Sequence, residues 1–102
     1  MRSNRPTGAP VDRLGKLCQE GTDIAAYLFQ VPDDAAQRQR LGEILDEIIR
    51  CAGRTNSREL PGIATDLKGA LAQPPSLAGV ASFQEGFDRM TKLWAAARSG
   101  LF

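Results

Sequence analysis

The chain has 102 residues, of which 42% are apolar and 25% charged, and these fractions are typical of one small globular domain. Its net charge is +1, and its acidic and basic residues are interspersed, which argues against a nucleic-acid binder because such proteins carry a basic stripe. The sequence has no histidine, so Ser–His or Cys–His catalysis, histidine-ligated metals and histidine phosphorylation are all excluded.

Apolar runs are short throughout the chain, which predicts that no helix spans a membrane. The N-terminus lacks the apolar stretch of a signal peptide, so we expect a cytoplasmic location. Cys18 and Cys51 fall among apolar positions of predicted helices, which favours free thiols over a disulfide or redox pair. Neither a metal nor any other cofactor is expected, because two sulfurs without histidine cannot complete a zinc site.

Residues 1–9 are polar and predict a disordered leader, followed by a single domain over residues 10–100. Pro10 is suited to the first position of a helix, where a missing N–H costs nothing. From there apolar residues recur at helical spacing as far as Leu28, and Pro32 is expected to stop this first helix.

The sequence has more large apolar residues than its four helical stripes need. Tyr27, Phe29 and Val31 follow the first helical stripe, and Leu101 and Phe102 end the chain. Such a surplus indicates an exposed apolar patch, which a homodimer would cover.

The second helix is predicted to begin at Asp33 or Asp34, both good N-cap residues, and to run to about Ala52. Gly53 is expected to end it in a left-handed conformation. Its apolar stripe recurs at strict helical spacing. The stripe consists of Leu41, Ile44, Leu45, Ile48, Ile49 and Ala52.

Charged residues on and after this helix could suggest a site. Glu43, Asp46 and Glu47 lie opposite the stripe, so we interpret them as a solvated face with an Asp46–Arg50 pair rather than as metal ligands. Three arginines spaced by four residues could contact an anion, although exposed arginines near a helix C-terminus are the simpler interpretation. These arginines are Arg50, Arg54 and Arg58.

A third helix is predicted from an Asn56–Glu59 capping box and is ended by Pro74-Pro75. Its apolar stripe is Leu60, Ile63, Ala64, Leu67 and Leu71.

The fourth helix has two possible starts, because Ser76 could cap it directly and Ser82 with Glu85 forms a second capping box. Residues 77–81 are therefore either a separate turn or its first turns, and Gly100 is expected to end it. Its stripe is Val80, Phe83, Phe87, Met90, Trp94 and Ala97, with Leu93 beside Trp94. Four stripes with short connections predict an all-α fold, an antiparallel up-down-up-down four-helix bundle.

One motif lies on the third helix, in the sequence Thr65-Asp66-Leu67-Lys68-Gly69. It resembles the His-x-Leu-Lys-Gly pattern of histidine phosphotransfer domains, which are helical bundles that dock receiver domains in two-component signalling. Leu67, Lys68 and Gly69 match the pattern, and Thr65 stands in place of the phosphorylated histidine. The resemblance implies that Gly69 clears room for a docking receiver and that Lys68 lies near the phosphoryl position, whereas phosphotransfer itself is excluded.

The first functional hypothesis is therefore a non-catalytic protein-interaction module of bacterial signalling, which binds a receiver domain or a histidine kinase. Its expected contacts are Thr65, Lys68, Gly69 and Gly62, since glycines permit close approach of a partner. The first alternative is a self-associating structural domain without a signalling role. A small-ligand site or enzyme within the bundle is the third hypothesis, which a sizeable polar cavity between helices would favour.

Overall fold

The computed structural model describes residues 9–53 and 58–99, and within them every regular element is an α-helix. The helices are α1 (Ala9–Leu28), α2 (Ala35–Ala52), α3 (Glu59–Leu71) and α4 (Leu77–Arg98). The predicted all-α class is confirmed over this part of the chain. Helix α1 begins at Ala9, one residue earlier than predicted, and the rest of the leader lies outside the described residues, as do Gly100 and the two residues after it.

Side-chain caps fix the starts of α2 and α4. The backbone N–H of Gln37 donates to the Asp34 carboxylate, which identifies Asp34 as the N-cap residue of α2. The N–H of Gly79 donates to the Ser76 hydroxyl in the same way. Helix α4 is therefore continuous from residue 77, and Ser82 is an interior residue whose hydroxyl donates to the carbonyl of Ala78.

Two predicted helix ends are wrong. Gly53 is right-handed, with φ −63° and ψ −13°, and its N–H donates to the Ile49 carbonyl, an i→i−4 bond of the ordinary α-helical type. The capping box at the start of α3 is absent, because Arg58 is the N-cap residue and makes no side-chain cap. Glu59 is the first helical residue and binds Arg89 of α4 instead, while Asn56 lies outside the described residues.

All four helices contribute to one hydrophobic core. Its largest fully buried side chains are those of Phe83 and Phe87 in α4. Near the end of the predicted α4 stripe, Leu93 is buried, whereas Trp94 is half-buried and packs against the core. The remaining members of the core are Leu14, Leu17, Cys18, Ile24, Ala25, Leu28, Leu41, Ile44, Leu45, Ile48, Ala52, Leu60, Ala64, Leu67, Val80 and Met90.

The helices contact one another in a closed ring: α1 touches α2 and α4, and α3 touches the same two helices. Between described residues, ion pairs cross three of the four helix–helix boundaries. They are Arg13–Glu47 and Arg40–Glu20 between α1 and α2, Lys68–Asp46 between α2 and α3, and Arg89–Glu59 between α3 and α4. Each pair is partly exposed and adds little stability.

The side chain of Arg38 links the α1–α2 connection to the end of α3. Its guanidinium donates to the carbonyl of Pro32 in the α1–α2 connection, and to the carbonyls of Leu71 and Gln73 at the end of α3. The same group lies 5.9 Å from the centre of the Phe83 ring of α4, a cation–π contact. The α1–α2 and α3–α4 connections therefore lie at the same end of the fold.

Candidate functional site

The residues of the predicted interaction site lie on the exposed surface of α3. Gly62, Thr65 and Gly69 are spaced by three and four residues, which places them on one face of the helix, and all three are exposed. The Thr65 hydroxyl donates to the Pro61 carbonyl at 2.8 Å, within the helix itself. Thr65 is thus accessible, and its hydroxyl bonds within its own helix.

Lys68 is held by an ion pair. Its ammonium group lies 2.5 Å from the Asp46 carboxylate of α2, and both side chains are nearly half exposed. The Asp46–Arg50 pair predicted from spacing is therefore wrong, because Asp46 is paired across the helix boundary. Lys68 thus links α3 to α2, and its charge is partly offset by Asp46.

Gly62 and Gly69 have no packing reason to be glycine. A Cβ atom added at either position would meet nothing within 4 Å. By contrast, a Cβ atom added at Gly86 would lie 2.6 Å from Leu67, and one added at Gly15 or Gly21 would collide with an aromatic ring. A glycine inside a helix costs up to about 1 kcal/mol relative to alanine, and nothing within the described fold offsets that cost at positions 62 and 69.

We expect Gly62→Ala and Gly69→Ala each to raise the free energy of unfolding by roughly 0.5–1 kcal/mol, because alanine favours the helix and meets no neighbour. Urea denaturation followed by circular dichroism measures this change. A loss of stability in either variant would show that the glycine serves the fold after all.

The three arginines proposed as an anion contact are described only in part. Arg50 is exposed in the last turn of α2, and Arg58 is exposed at the start of α3. Arg54 lies outside the described residues. The anion contact therefore stays a prediction.

Two grooves adjoin each other along the α1–α4 boundary and were not predicted. The larger, of about 510 Å³, is lined by polar side chains, namely Gln19, Thr22, Gln84, Glu85, Asp88 and Thr91. The smaller, of about 410 Å³, is lined by Asp12, Gly15, Lys16, Gln19, Trp94 and Arg98. Gln19 lines both. The sequence signal that could have indicated this boundary is the pair of glycines in α1, Gly15 and Gly21, which admit the rings of Trp94 and Phe87.

The two cysteines are not activated as nucleophiles by their surroundings. Burial raises the pKa of the Cys18 thiol to about 11, despite a hydrogen bond with Thr91, so the thiol is neutral and a poor nucleophile at neutral pH. Cys51 is also a free thiol and is partly buried. Among the described residues no group of three or more carboxylates and thiols is placed to hold a metal ion.

Exposed apolar side chains concentrate at the end of the fold where the α1–α2 and α3–α4 connections lie. Tyr27 and Phe29 are 43% and 38% exposed, and Val31 is similarly exposed. The hydrogen bond from the Tyr27 hydroxyl to Asp34 raises the pKa of that phenol. Leu77, at the start of α4, is the most exposed large apolar residue described at 57%, and it was not predicted. Leu101 and Phe102 lie outside the described residues.

No protein-family model, curated protein or solved structure matches this chain. Within the part of the chain that the structure describes, none of the helices has both the length and the apolar content needed to cross a membrane.

Proposed function

We propose that this protein is a non-catalytic interaction module whose exposed α3 face receives a protein partner, a receiver domain or a histidine kinase. The observation that carries the proposal is the open space over Gly62 and Gly69. Two glycines that weaken a helix without serving its packing are accounted for if a partner's backbone or side chains must approach the α3 backbone closely.

The placement of the motif supports a signalling partner. Thr65 is exposed one helical turn from Gly69, as the resemblance to phosphotransfer domains implies for the phosphorylated position and its neighbouring glycine. Because the chain has no histidine, it binds such a partner without passing phosphate. The module is thus a phosphorylation-incompetent adaptor of a cytoplasmic, bacterial two-component system.

The scaffold that we propose for this face is the antiparallel up-down-up-down bundle. Its support comes from the order of contacts along each boundary. Between α1 and α2, Arg13 pairs with the late residue Glu47, whereas the later Glu20 pairs with the earlier Arg40. The other boundaries show the same reversal. The contacts are Asp46 with Lys68 and Gly42 with Leu71, Glu59 with Arg89 and Leu67 with Gly86, and Gly15 with Trp94 and Gly21 with Phe87.

Substitution of Gly69 by arginine tests the docking face. We expect Gly69→Arg to weaken binding of a cognate receiver domain or kinase by at least about tenfold, because a long charged side chain would fill the space that the partner occupies. Titration calorimetry against a panel of purified receiver domains and kinase dimerisation domains measures the affinity.

Gly53→Arg is the matched control. Gly53 is exposed beyond the end of α2, and an added Cβ atom there meets only ordinary contacts. The control should bind like the unmodified protein, and circular dichroism should show the same helicity in both variants. If no member of the panel binds, or if both arginine variants bind equally well, the signalling proposal is wrong.

Self-association is the second candidate function, and the exposed apolar side chains of Tyr27, Phe29 and Leu77 favour it. A homodimer would remove such side chains from water without any signalling partner. Light scattering over roughly a hundredfold dilution decides the point, because a dimer dissociates with dilution and a monomer does not change.

A further inference from the structure

Charged side chains along the α1–α4 face are sorted by sign. Lys16 and Arg98 line the smaller groove with one acid, Asp12, so that end carries a net positive charge. Glu85 and Asp88 line the larger groove, and Lys92 on the same helix pairs with Asp88. The second end therefore keeps a net negative charge. The uncharged side chains of Gln19, Thr22, Gln84 and Thr91 occupy the larger groove beside these acids.

The two ends are too far apart to neutralise each other within one molecule. Glu85 and Arg98 are thirteen residues apart on α4, which is about 20 Å along the helix. Charges on a surface are largely screened beyond about 8 Å at physiological ionic strength. Neither Lys16 nor Glu85 forms an ion pair with any residue that the structure describes, and no ion pair between described residues crosses this boundary.

We infer that a second copy of this chain lies across the α1–α4 face, related to the first by a two-fold axis near Gln19 and Thr91. In that arrangement the positive end of each copy meets the negative end of the other. Lys16 and Arg98 of one copy therefore face Glu85 of the second copy, and the same contact is repeated at the other end of the interface. A two-fold axis requires this self-complementarity, because each contact between the copies occurs twice. The inference rests on self-association, the second candidate function, and places the contact on the charges of this face rather than on the exposed apolar side chains of Tyr27, Phe29 and Leu77.

The size of the face suits a dimer. Helix α4 has 22 residues and is about 33 Å long, and two neighbouring helices are together roughly 20 Å wide. The face thus covers roughly 650 Å², close to the approximately 800 Å² that each partner buries in a typical stable interface. It also holds Trp94, a half-buried aromatic residue under the Arg98 guanidinium, and tryptophan and arginine are enriched at the centres of interfaces.

Charge reversal at the two ends tests this surface by sedimentation velocity on the full chain. The unmodified protein should dimerise, with an affinity that falls as salt is added. The variants Lys16→Glu/Arg98→Glu and Glu85→Lys/Asp88→Lys should each lose about tenfold or more in dimer affinity, because like charges then meet at both contacts. An equimolar mixture should form a heterodimer, since every contact between the two variants again joins opposite charges.

The control variants are Arg50→Glu and Asp66→Lys, which reverse exposed charges on α2 and α3 and should leave the dimer unchanged. Trp94 is the single tryptophan, so its emission should shift on dilution of the unmodified protein and not of the monomeric variants.

A monomer at every concentration overturns self-association and this surface together. A dimer that tolerates both charge reversals but dissociates on Phe29→Asp overturns the surface alone and assigns the contact to the apolar end. Neither result bears on receiver or kinase binding, which Gly69→Arg tests.

Discussion

Phe87→Ala should lower the free energy of unfolding by about 3–5 kcal/mol, the usual cost of removing a fully buried aromatic side chain. The Phe87 ring has no exposed surface and lies against Gly21 of α1. Because a glycine has no side chain that could move into the cavity, the space left by the ring would stay largely unfilled. Because a domain of this size has only about 5–15 kcal/mol of stability, the loss would be a large part of the total. Urea denaturation measures it.

Phe29→Ala is the control for this prediction, since Phe29 is 38% exposed and its truncation should change the stability far less. Near-normal stability in Phe87→Ala together with lost self-association would assign the ring to an interface between copies, against its burial in the described fold. Unchanged stability without any change in association would contradict the burial of Phe87 in the core.

The sequence was sufficient for the helices because each has an apolar stripe at helical spacing. The α2 stripe is the clearest case, and only Ile49 of its six members is left partly exposed. The choice between Leu93 and Trp94 could not be made from the sequence, because both are large, apolar and adjacent. The packing of α1 on α4 determines which of the two is buried. The Trp94 indole lies against Gly15 of α1 near the surface, and Leu93 points into the core.

The candidate site could be placed from the sequence only as far as its helix. The motif predicted Thr65 and Gly69 as contacts on the third helix, and both residues are exposed on α3. The partner of Lys68 could not be predicted, because Asp46 lies 22 residues away and the pairing depends on how α2 and α3 are aligned. The same holds for Arg38, whose three carbonyl partners lie in the α1–α2 connection and at the end of α3.

Glycines show most clearly what spacing alone omits. In the sequence, Gly15, Gly21, Gly62 and Gly69 are equivalent interruptions of predicted helices. In the fold the first two admit aromatic rings of α4, whereas the last two face open space. Gly15 and Gly21 therefore contribute to stability by allowing close packing of α1 on α4. Gly62 and Gly69 contribute nothing to the packing of the described fold, which favours a role for them at the exposed surface of α3.

Gly21→Ala is expected to destabilise the protein by about 1–3 kcal/mol, although the same change at Gly62 should stabilise it. Gly21 is buried, and a Cβ atom there would overlap ring atoms of Phe87, so either the ring or the α1 backbone must move within a close-packed core. That overpacking cost exceeds the gain of roughly 1 kcal/mol in helix propensity. Thermal and urea denaturation of both alanine variants compare the two positions directly.

A double substitution identifies the cause of this loss. Leucine at position 87 is shorter than phenylalanine and frees the space that the new methyl group needs, so Gly21→Ala should cost less in a Phe87→Leu background than in the unmodified protein. We expect a coupling energy of about 1 kcal/mol or more between the two positions. Additive effects would mean that Gly21 and Phe87 do not contact each other, and the close approach of α1 to α4 would then be wrong. Because the α1–α4 face includes both grooves, that outcome would also remove the geometric basis for placing a second copy there.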